Sequence, residues 1–364
     1  MAQLKLIQSL HTTGARAAES FVHQGVRYLV IPQLAADVEE QPPLMTMGNS
    51  DIEALVYKWT DGRFSPLQEL PVPGGEDAEF FRIGDRAFLA TASLRTGSGP
   101  YDLNADSTIF ELQNGKFEPF QGIPTFAAKQ WKHFRIGDRV FLALAQGAVL
   151  EGAEPRHSPV SVIFEWTGDK FEEFQRIPSA WGYNWLFFEH AGERFLAYAD
   201  HIEGSSILRW NGSDFEPFQA LAEQTGRAFC FFENGGKAWF VFACLHDDTV
   251  LYVWDGGRFV RHQVISGPGG RELRWLADEQ RLVLVNFLHG SREKPIPSLQ
   301  SALYRFTGGE LIVDEAFPTL GGTDATAFEQ DGQRYLVVTH SLSADVRFRT
   351  ESKVYRLDRP AVAG

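Results

Sequence analysis

The stretch Lys116–Gln146, KFEPFQGIPTFAAKQWKHFRIGDRVFLALAQ, recurs through the chain in altered form. Its opening returns at Phe64 (FSPLQELPV), Phe117 (FEPFQGIPT), Phe171 (FEEFQRIPS), Phe215 (FEPFQALAE), Phe259 (FVRHQVISG) and Leu311 (LIVDEAFPT), at spacings of 53, 54, 44, 44 and 52 residues. Sixty residues before Phe64 stands Leu4 (LKLIQSLHT), the seventh copy. A period near 45 residues holding several short strands is the mark of a β-propeller. The third copy reads as four strands. Trp131–Ile136 is strand A, and Gly137-Asp138 makes a tight turn into strand B, Val140–Ala145. Strand C, Val162–Trp166, turns through 167–170 into strand D, which begins at Lys170 and runs to Gln175. The C–turn–D hairpin repeats as VYKWTDGRF, IFELQNGKF, ILRWNGSDF, LYVWDGGRF and LYRFTGGEL.

These observations predict an all-β, seven-bladed propeller of four-stranded antiparallel blades, occupying 1–364 as a single domain. The chain starts on a D-type strand, Leu4–Gln8, and ends on a C-type strand, Lys353–Leu357, with no D strand after it. Each lacks the partner the other supplies, so their pairing is expected to close the ring.

The motif FEPFQGIPT…W..F.IGDR.FLALA, followed by IFEW.G..F, resembles the EAR repeat, also called the epitempin or EPTP repeat, which forms the propeller of the leucine-rich glioma-inactivated proteins. The resemblance covers about residues 4–357. Copies 2 to 4 match best; copy 6 departs most, reading VRHQVISG and ADEQR in place of the FxPFQ and GDR elements. Because the best-known members are secreted modules that bind other proteins, the resemblance implies a binding role.

Composition narrows the field. Of 364 residues 44% are hydrophobic and 22% charged, as in ordinary globular proteins, and thirty Phe and nine Trp call for a packed interior. The net charge of −13, with no Lys/Arg cluster, argues against nucleic acid and against an anionic membrane surface. The N-terminal stretch has no apolar segment of signal-peptide length, which gives an expectation of cytoplasmic location, and no run of about 18 apolar residues occurs. Two cysteines, Cys230 and Cys244, are three residues out of register across a hairpin and are not expected to form a disulfide. A monomer is expected.

In such a ring the A–B and C–D turns share one face, and the D–A crossings and B–C loops share the other. The first set is short and stereotyped. The B–C loops are long in blades 1 (Pro32–Asp51), 2 (Ser93–Asp106), 3 (Gln146–Pro159) and 6 (Leu288–Gln300), and short in blades 4 and 5. Variable loops on a rigid scaffold place a site on this second face, at the channel mouth. The residues before each A strand converge there: Arg16 and Ala17, Glu76 and Asp77, Lys129 and Gln130, Tyr183 and Asn184, Arg227 and Ala228, Arg271 and Glu272, Thr323 and Asp324. Their mixed charge suits either a self-paired rim or a pocket for a zwitterionic or polar ligand.

Trp131 and Trp185 hold the repeat's own Trp position and read as core. Trp181 and Tyr183 are extra rings in the blade 3–4 crossing, open to ligand stacking or to filling a gap between blades. His201, His246, His289 and His340 each follow a B strand in blades 4 to 7. Spread around an arc, four imidazoles cannot share a zinc ion, and no HxH or HExxH spacing supports one. Lining of a pocket, or surface positions at loop starts, remain open for them. No cofactor is expected, although Asp77, Glu272, Asp324 and Asn184 offer oxygen ligands for a channel cation such as calcium. No GxSxG, Walker A or GxGxxG element occurs; the glycine-rich strings 72–77 and 266–270 are crossing loops with no helix after them.

The leading expectation is a binding module that recognises a partner protein, a glycan or a small polar molecule. The alternative is an enzyme using histidines, arginines and carboxylates of the same face for acid–base chemistry. With the short loops of blades 4 and 5 leaving that side open, contacts are expected mainly from blades 4 to 7. The ligand-binding candidates are Trp181, Tyr183, Arg227, His246, Arg271, His289, Asp324 and His340.

Overall fold

A computed structural model describes residues 4–148, 152–158, 160–221 and 225–358. Seven four-stranded antiparallel sheets surround a central axis. Blade 3 runs Gln130–Ile136, Arg139–Ala145, Ser161–Trp166 and Phe171–Ile177, strands A to D from the axis outward. Blade 1 spans 19–71, blade 2 75–124, blade 4 182–221, blade 5 226–266 and blade 6 270–320. Blade 7 takes strands A to C from 322–357 and strand D from Leu4–Thr13. The closure is antiparallel, with Leu4 opposite Leu357, Lys5 opposite Arg356 and Gln8 opposite Val354.

The repeated motif holds the blades to one another. In each copy, the Gln at the fifth position reaches the next blade and reads both backbone groups of that blade's first motif residue. Gln121 donates through Nε2 to the carbonyl of Phe171 and accepts through Oε1 from its N–H, both at 2.9 Å. The same two-point clamp joins Gln8 to Phe64, Gln68 to Phe117, Gln175 to Phe215, Gln219 to Phe259 and Gln263 to Leu311. Copy 6, which departs most in sequence, keeps its Gln. In copy 7 the position is Glu315, a carboxylate that can accept but not donate. The residue before the Gln or Glu (Ile7, Leu67, Phe120, Phe174, Phe218, His262, Asp314) bulges out of the D strand in all seven copies. An extra residue there bends the strand and aims the amide across the blade boundary. The motif's Pro is harmless because D is an edge strand.

The GDR arginine has a second structural task. Arg86 pairs with Glu111 through two bonds of 2.7 and 3.0 Å, and its guanidinium lies 4.7 Å from Phe88, 4.9 Å from Phe120 and 5.6 Å from Trp166. Arg139 repeats this with Glu165, Phe141, Phe174 and Trp210. Each such Trp belongs to the next blade, so the cation is a further cross-blade contact. In copy 6 a short 3-10 turn, Ala277–Glu279, replaces the Gly-Asp turn, and buried Arg281 pairs with Asp314 at 2.7 Å and Glu279 at 3.2 Å.

The cysteines lie as the register requires, Cys230 opposite Val241, with no disulfide between Cys230 and Cys244. Burial pushes the Cys230 thiol up to about 12. Three tests follow from this architecture. Removing residues 1–10 should lower the melting temperature by several degrees through the exposed C-strand edge of blade 7; an unchanged melting curve contradicts the closure. Gln175→Leu strands a backbone N–H and C=O at a blade interface and should cost about 1–3 kcal/mol in denaturant unfolding. A thiol reagent should modify neither cysteine in the native protein and both after denaturation.

Candidate functional site

The crossing into each A strand follows one local plan. In six blades a residue of positive φ (Gly14, Gly74, Ala127, Thr225, Gly269 or Gly321) precedes a small residue, and in blade 4 Trp181 stands before Gly182 instead. Next comes a bulged residue that turns toward the axis. In five blades the small residue is glycine: Gly75, Gly182, Gly226, Gly270 and Gly322. A Cβ on Gly270 would stand 2.7 Å from Thr249 Oγ1, and one on Gly322 2.7 Å from Val285 Cγ1, so no side chain fits under the step. The bulge separates residues that are neighbours in sequence. Glu76, Tyr183, Arg227, Arg271 and Thr323 are the bulged members; Arg16 and Lys129 hold the same position in blades 1 and 3.

Charge is thereby sorted into layers. The mouth layer carries Arg16, Lys129, Arg227 and Arg271 around one carboxylate, Glu76. Lys129 Nζ lies 3.0 Å from Glu76, Arg16 Nε 3.5 Å and Arg271 Nη2 3.9 Å. Burial raises the Glu76 carboxyl, but the Lys129, Arg16 and Arg271 charges outweigh it and hold the group below its usual range. Four of the second members, Asp77, Gln130, Glu272 and Asp324, cap backbone N–H groups in or beside the A strands. Asp77 accepts from Trp131 N, Gln130 from Trp185 N and Asp324 from Ala18 N, each across a blade boundary. Glu272 accepts from Leu273 N. Burial pushes Asp77 and Asp324 upward and takes Glu272 to about 7. Among the described residues, no three His, Cys, Asp or Glu side chains converge as metal ligands.

Above the mouth layer opens a cavity of about 350 Å³. Arg16, Glu76, Lys129 and Tyr183 line its lower part; Leu34, Met45, Leu94, Leu103, Ala148 and Phe287 are among its apolar walls, with Tyr101 and Trp181 as aromatic ones. Arg95 braces the blade 1 loop through Ser50 Oγ at 2.9 Å and the carbonyls of Thr46 and Met47, both at 2.6 Å, with Tyr101 stacked 3.7 Å away. A larger groove of about 620 Å³ lies on the rim between blades 7 and 1, but it is walled by the clamp residues Gln8 and Phe64, and its charged groups are exposed.

The sequence candidates divide here. Tyr183 sits at the centre, with Arg227 3.9 Å, Arg271 5.0 Å and Lys129 5.2 Å from its ring. Burial raises its hydroxyl, but those three cations win and bring it down to about 7. Trp181 packs against Leu103, Phe126 and Ala148 from the loops and crossing of blades 2 and 3, and it lines the cavity with Arg292 4.7 Å above its ring. Asp324 caps the Ala18 N–H.

The histidines do not come together, because they stand at different phases of the B-strand exit. That exit is marked by a backbone N–H bonded to the crossing carbonyl: Leu34 to Gly14, Leu94 to Gly74, His201 to Trp181, Leu245 to Thr225, Phe287 to Gly269 and Ser341 to Gly321. His201 is at the exit, His246 one residue past it, His289 two past, and His340 one before. Only His201 reaches the mouth, 5.0 Å from Trp181 and accepting from Arg227 at 3.0 Å. Burial and Arg227 hold it neutral, near 3. His246 and His289 are exposed, His289 facing the Pro268 carbonyl, and His340 is buried beneath the surface. The cavity walls come chiefly from the long loops of blades 1 to 3, with blades 4 and 6 adding Trp181, Phe287 and Arg292. Sequence reading passed over Arg95, Tyr101 and Arg292; the paired glycines 74–75, 269–270 and 321–322 were the available sign of the bulged step.

A family model described as the EPTP domain matches residues 63–112, 116–167, 170–211 and 214–255, half of the chain. The chain belongs to the EPTP domain family. Each matched unit runs from a D strand through A, B and C of the next blade, the same offset that closes the ring. The Homo sapiens thrombospondin-type laminin G domain and EAR repeat-containing protein is 31% identical over 186 residues, covering 50% of this chain and 26% of the relative. The Mus musculus protein of that name is 36% identical over 130 residues, 35% of this chain and 18% of its own length. The matched stretches therefore span about a quarter or less of these relatives. Saccharomyces cerevisiae Sqt1 superposes with a TM-score of 0.59 over 98% of this chain and 100% of its own at 10% identity, a likeness of fold alone.

The Tyr183 environment is directly testable. Tyrosinate absorbance should show one of the nine tyrosines ionising near pH 7 in the native protein, and Tyr183→Phe should abolish that step.

Proposed function

We propose that this EPTP propeller is a binding module whose loop-rich face takes a ligand at the channel mouth. The observation that carries the reading is the cavity itself: loops from several blades enclose it, its walls are aromatic and apolar, and its base is polar and charged. That combination is how proteins hold small ligands or an anchoring side chain of a partner. The opposite face, built of stereotyped A–B and C–D turns, offers little variation for recognition. Trp181 and Tyr183, which line the cavity, are the contacts we assign, with Arg227 and Arg271 beside the Tyr183 ring; His246 and His289 belong to the loops around the mouth, and His340 is the buried last residue of a B strand.

A second reading rests on one observation, the Tyr183 hydroxyl brought to about 7 among cations. A phenolate available at neutral pH is a competent general base, so an enzyme acting on a small molecule at the same mouth is the rival.

A thermal-shift screen of proteins, glycans and small polar molecules separates these. A stabilising ligand should lose its effect in Trp181→Ala and Tyr183→Phe and keep it in Asp138→Lys on the turn face. Loss of binding only in Asp138→Lys contradicts the site. Chemical conversion of the ligand, lost in Tyr183→Phe, favours the enzyme.

A further inference from the structure

The donors at the mouth outnumber the acceptors. Arg16, Arg227, Arg271 and Trp181 are 7%, 3%, 7% and 8% exposed, yet their Nε or Nε1 atoms are buried without a hydrogen-bond acceptor among the described residues. Arg227 spends its Nη1 on His201 and on the carbonyls of Thr225 and Gly226. Arg95 is consumed by the blade 1 loop. Lys129 is bonded to Glu76. Arg271 approaches Glu76 at 3.9 Å, has Tyr183, Glu272 and Asp324 as further acidic neighbours, and does not line the cavity. Arg16 does line it, and its Nε only approaches Glu76, at 3.5 Å. Guanidiniums buried this far ordinarily hold a carboxylate or phosphate in bidentate fashion. All of this lies in a chain of net charge −13, so the positive mouth is a local arrangement and not a general surface property.

We infer that the cavity takes a carboxylate carried on an apolar body, the carboxylate met by Arg16 and Trp181 Nε1, and the body held by Leu34, Met45 and Leu103. This deepens the binding reading above and rests on it. A single negative charge fits better than a phosphate. Glu76 already occupies the centre of the collar, 3.5 Å from Arg16, so a dianion at Arg16 would meet its repulsion. The apolar walls suit an acid with an apolar body better than a multiply charged, strongly hydrated anion such as phosphate. Two sources offer the shared chemistry, a free organic acid and the carboxyl terminus of a peptide.

Tyr183 reports occupancy. Lys129, Arg227 and Arg271 face its hydroxyl, with Glu76 as the opposing charge and His201 neutral beside the ring. A bound carboxylate adds a negative charge to this set, so the Tyr183 hydroxyl should ionise at higher pH, by about one unit. By linkage, affinity should be greatest between the ligand's own carboxyl pKa and neutrality, and fall as pH rises through 7.

The test uses calorimetry on the full chain with phenylacetate, phenylacetamide, inorganic phosphate, and an acetylated dipeptide ending in phenylalanine with a free or amidated terminus, alongside the tyrosinate titration. We expect the two acids to bind, their amides and phosphate to bind about tenfold more weakly or not at all, and each acid to raise the Tyr183 step. The tighter of the two acids names the source. Arg16→Gln should abolish the preference for acid over amide, and Trp181→Phe, which keeps a ring but removes Nε1, should reduce it. If either variant fails to fold, the wild-type titration still decides. Equal binding of acid and amide, tighter binding of phosphate, no binding of either acid, or a Tyr183 step unmoved by bound acid overturns the inference. If the acids fail while a screened ligand still depends on Trp181 and Tyr183, the binding reading stands and only its carboxylate chemistry is lost.

Discussion

The structure depends on a side-chain amide that reads a neighbouring backbone. A propeller blade is a complete sheet with its hydrogen bonds made internally, so nothing in the ladder itself ties one blade to the next. The fifth motif residue supplies that tie. A glutamine carries both a donor and an acceptor on one planar group, and it satisfies the N–H and C=O of a single residue one blade away. Six such clamps recur with near-constant geometry, from Gln8–Phe64 to Gln263–Leu311. Hydrophobic packing between blades is non-directional and tolerates sliding; the clamps fix the register of one sheet against another.

With register fixed, the inner strands arrive at the axis in step, and rings of stacked side chains fill the seams between them. Phe21 lies on Phe80 at 3.7 Å, Phe134 on Phe187 at 4.7 Å, Phe188 on Phe231 at 4.5 Å and Phe232 on Trp275 at 3.9 Å. Above these seams the glycine step turns one residue per blade into the mouth. The scaffold needs the step but not the identity of the residue after it. That position is therefore where Arg, Glu, Lys, Tyr and Thr can vary, and where a site can be composed without disturbing the fold.

This division explains what could be read from the chain. The repeat, the ring closure and the missing disulfide were legible because each depends on spacing, which the sequence shows directly. The list of residues near the mouth was legible for the same reason. Their arrangement was not. Arg271 and Glu272 look like a mixed-charge pair, and Glu76 and Asp77 like an acidic one, until a bulge sends the first of each to the mouth layer and the second to cap a backbone N–H. The histidines looked equivalent because all follow a B strand, but one residue of phase separates an exposed His246 from the mouth-facing His201. Arg95 and Tyr101 lie in a long loop without period, where only packing reveals their places.

The central claim is that a buried, acceptor-poor cationic collar stands at the mouth of this propeller. Anomalous diffraction from a crystal soaked in sodium bromide tests it most directly, because bromide marks positions where buried positive charge lacks a fixed counter-ion. The account predicts the strongest bromide peak inside the cavity, within contact distance of the Arg16 guanidinium. Bromide peaks confined to surface lysines and arginines, with the collar empty, would contradict it.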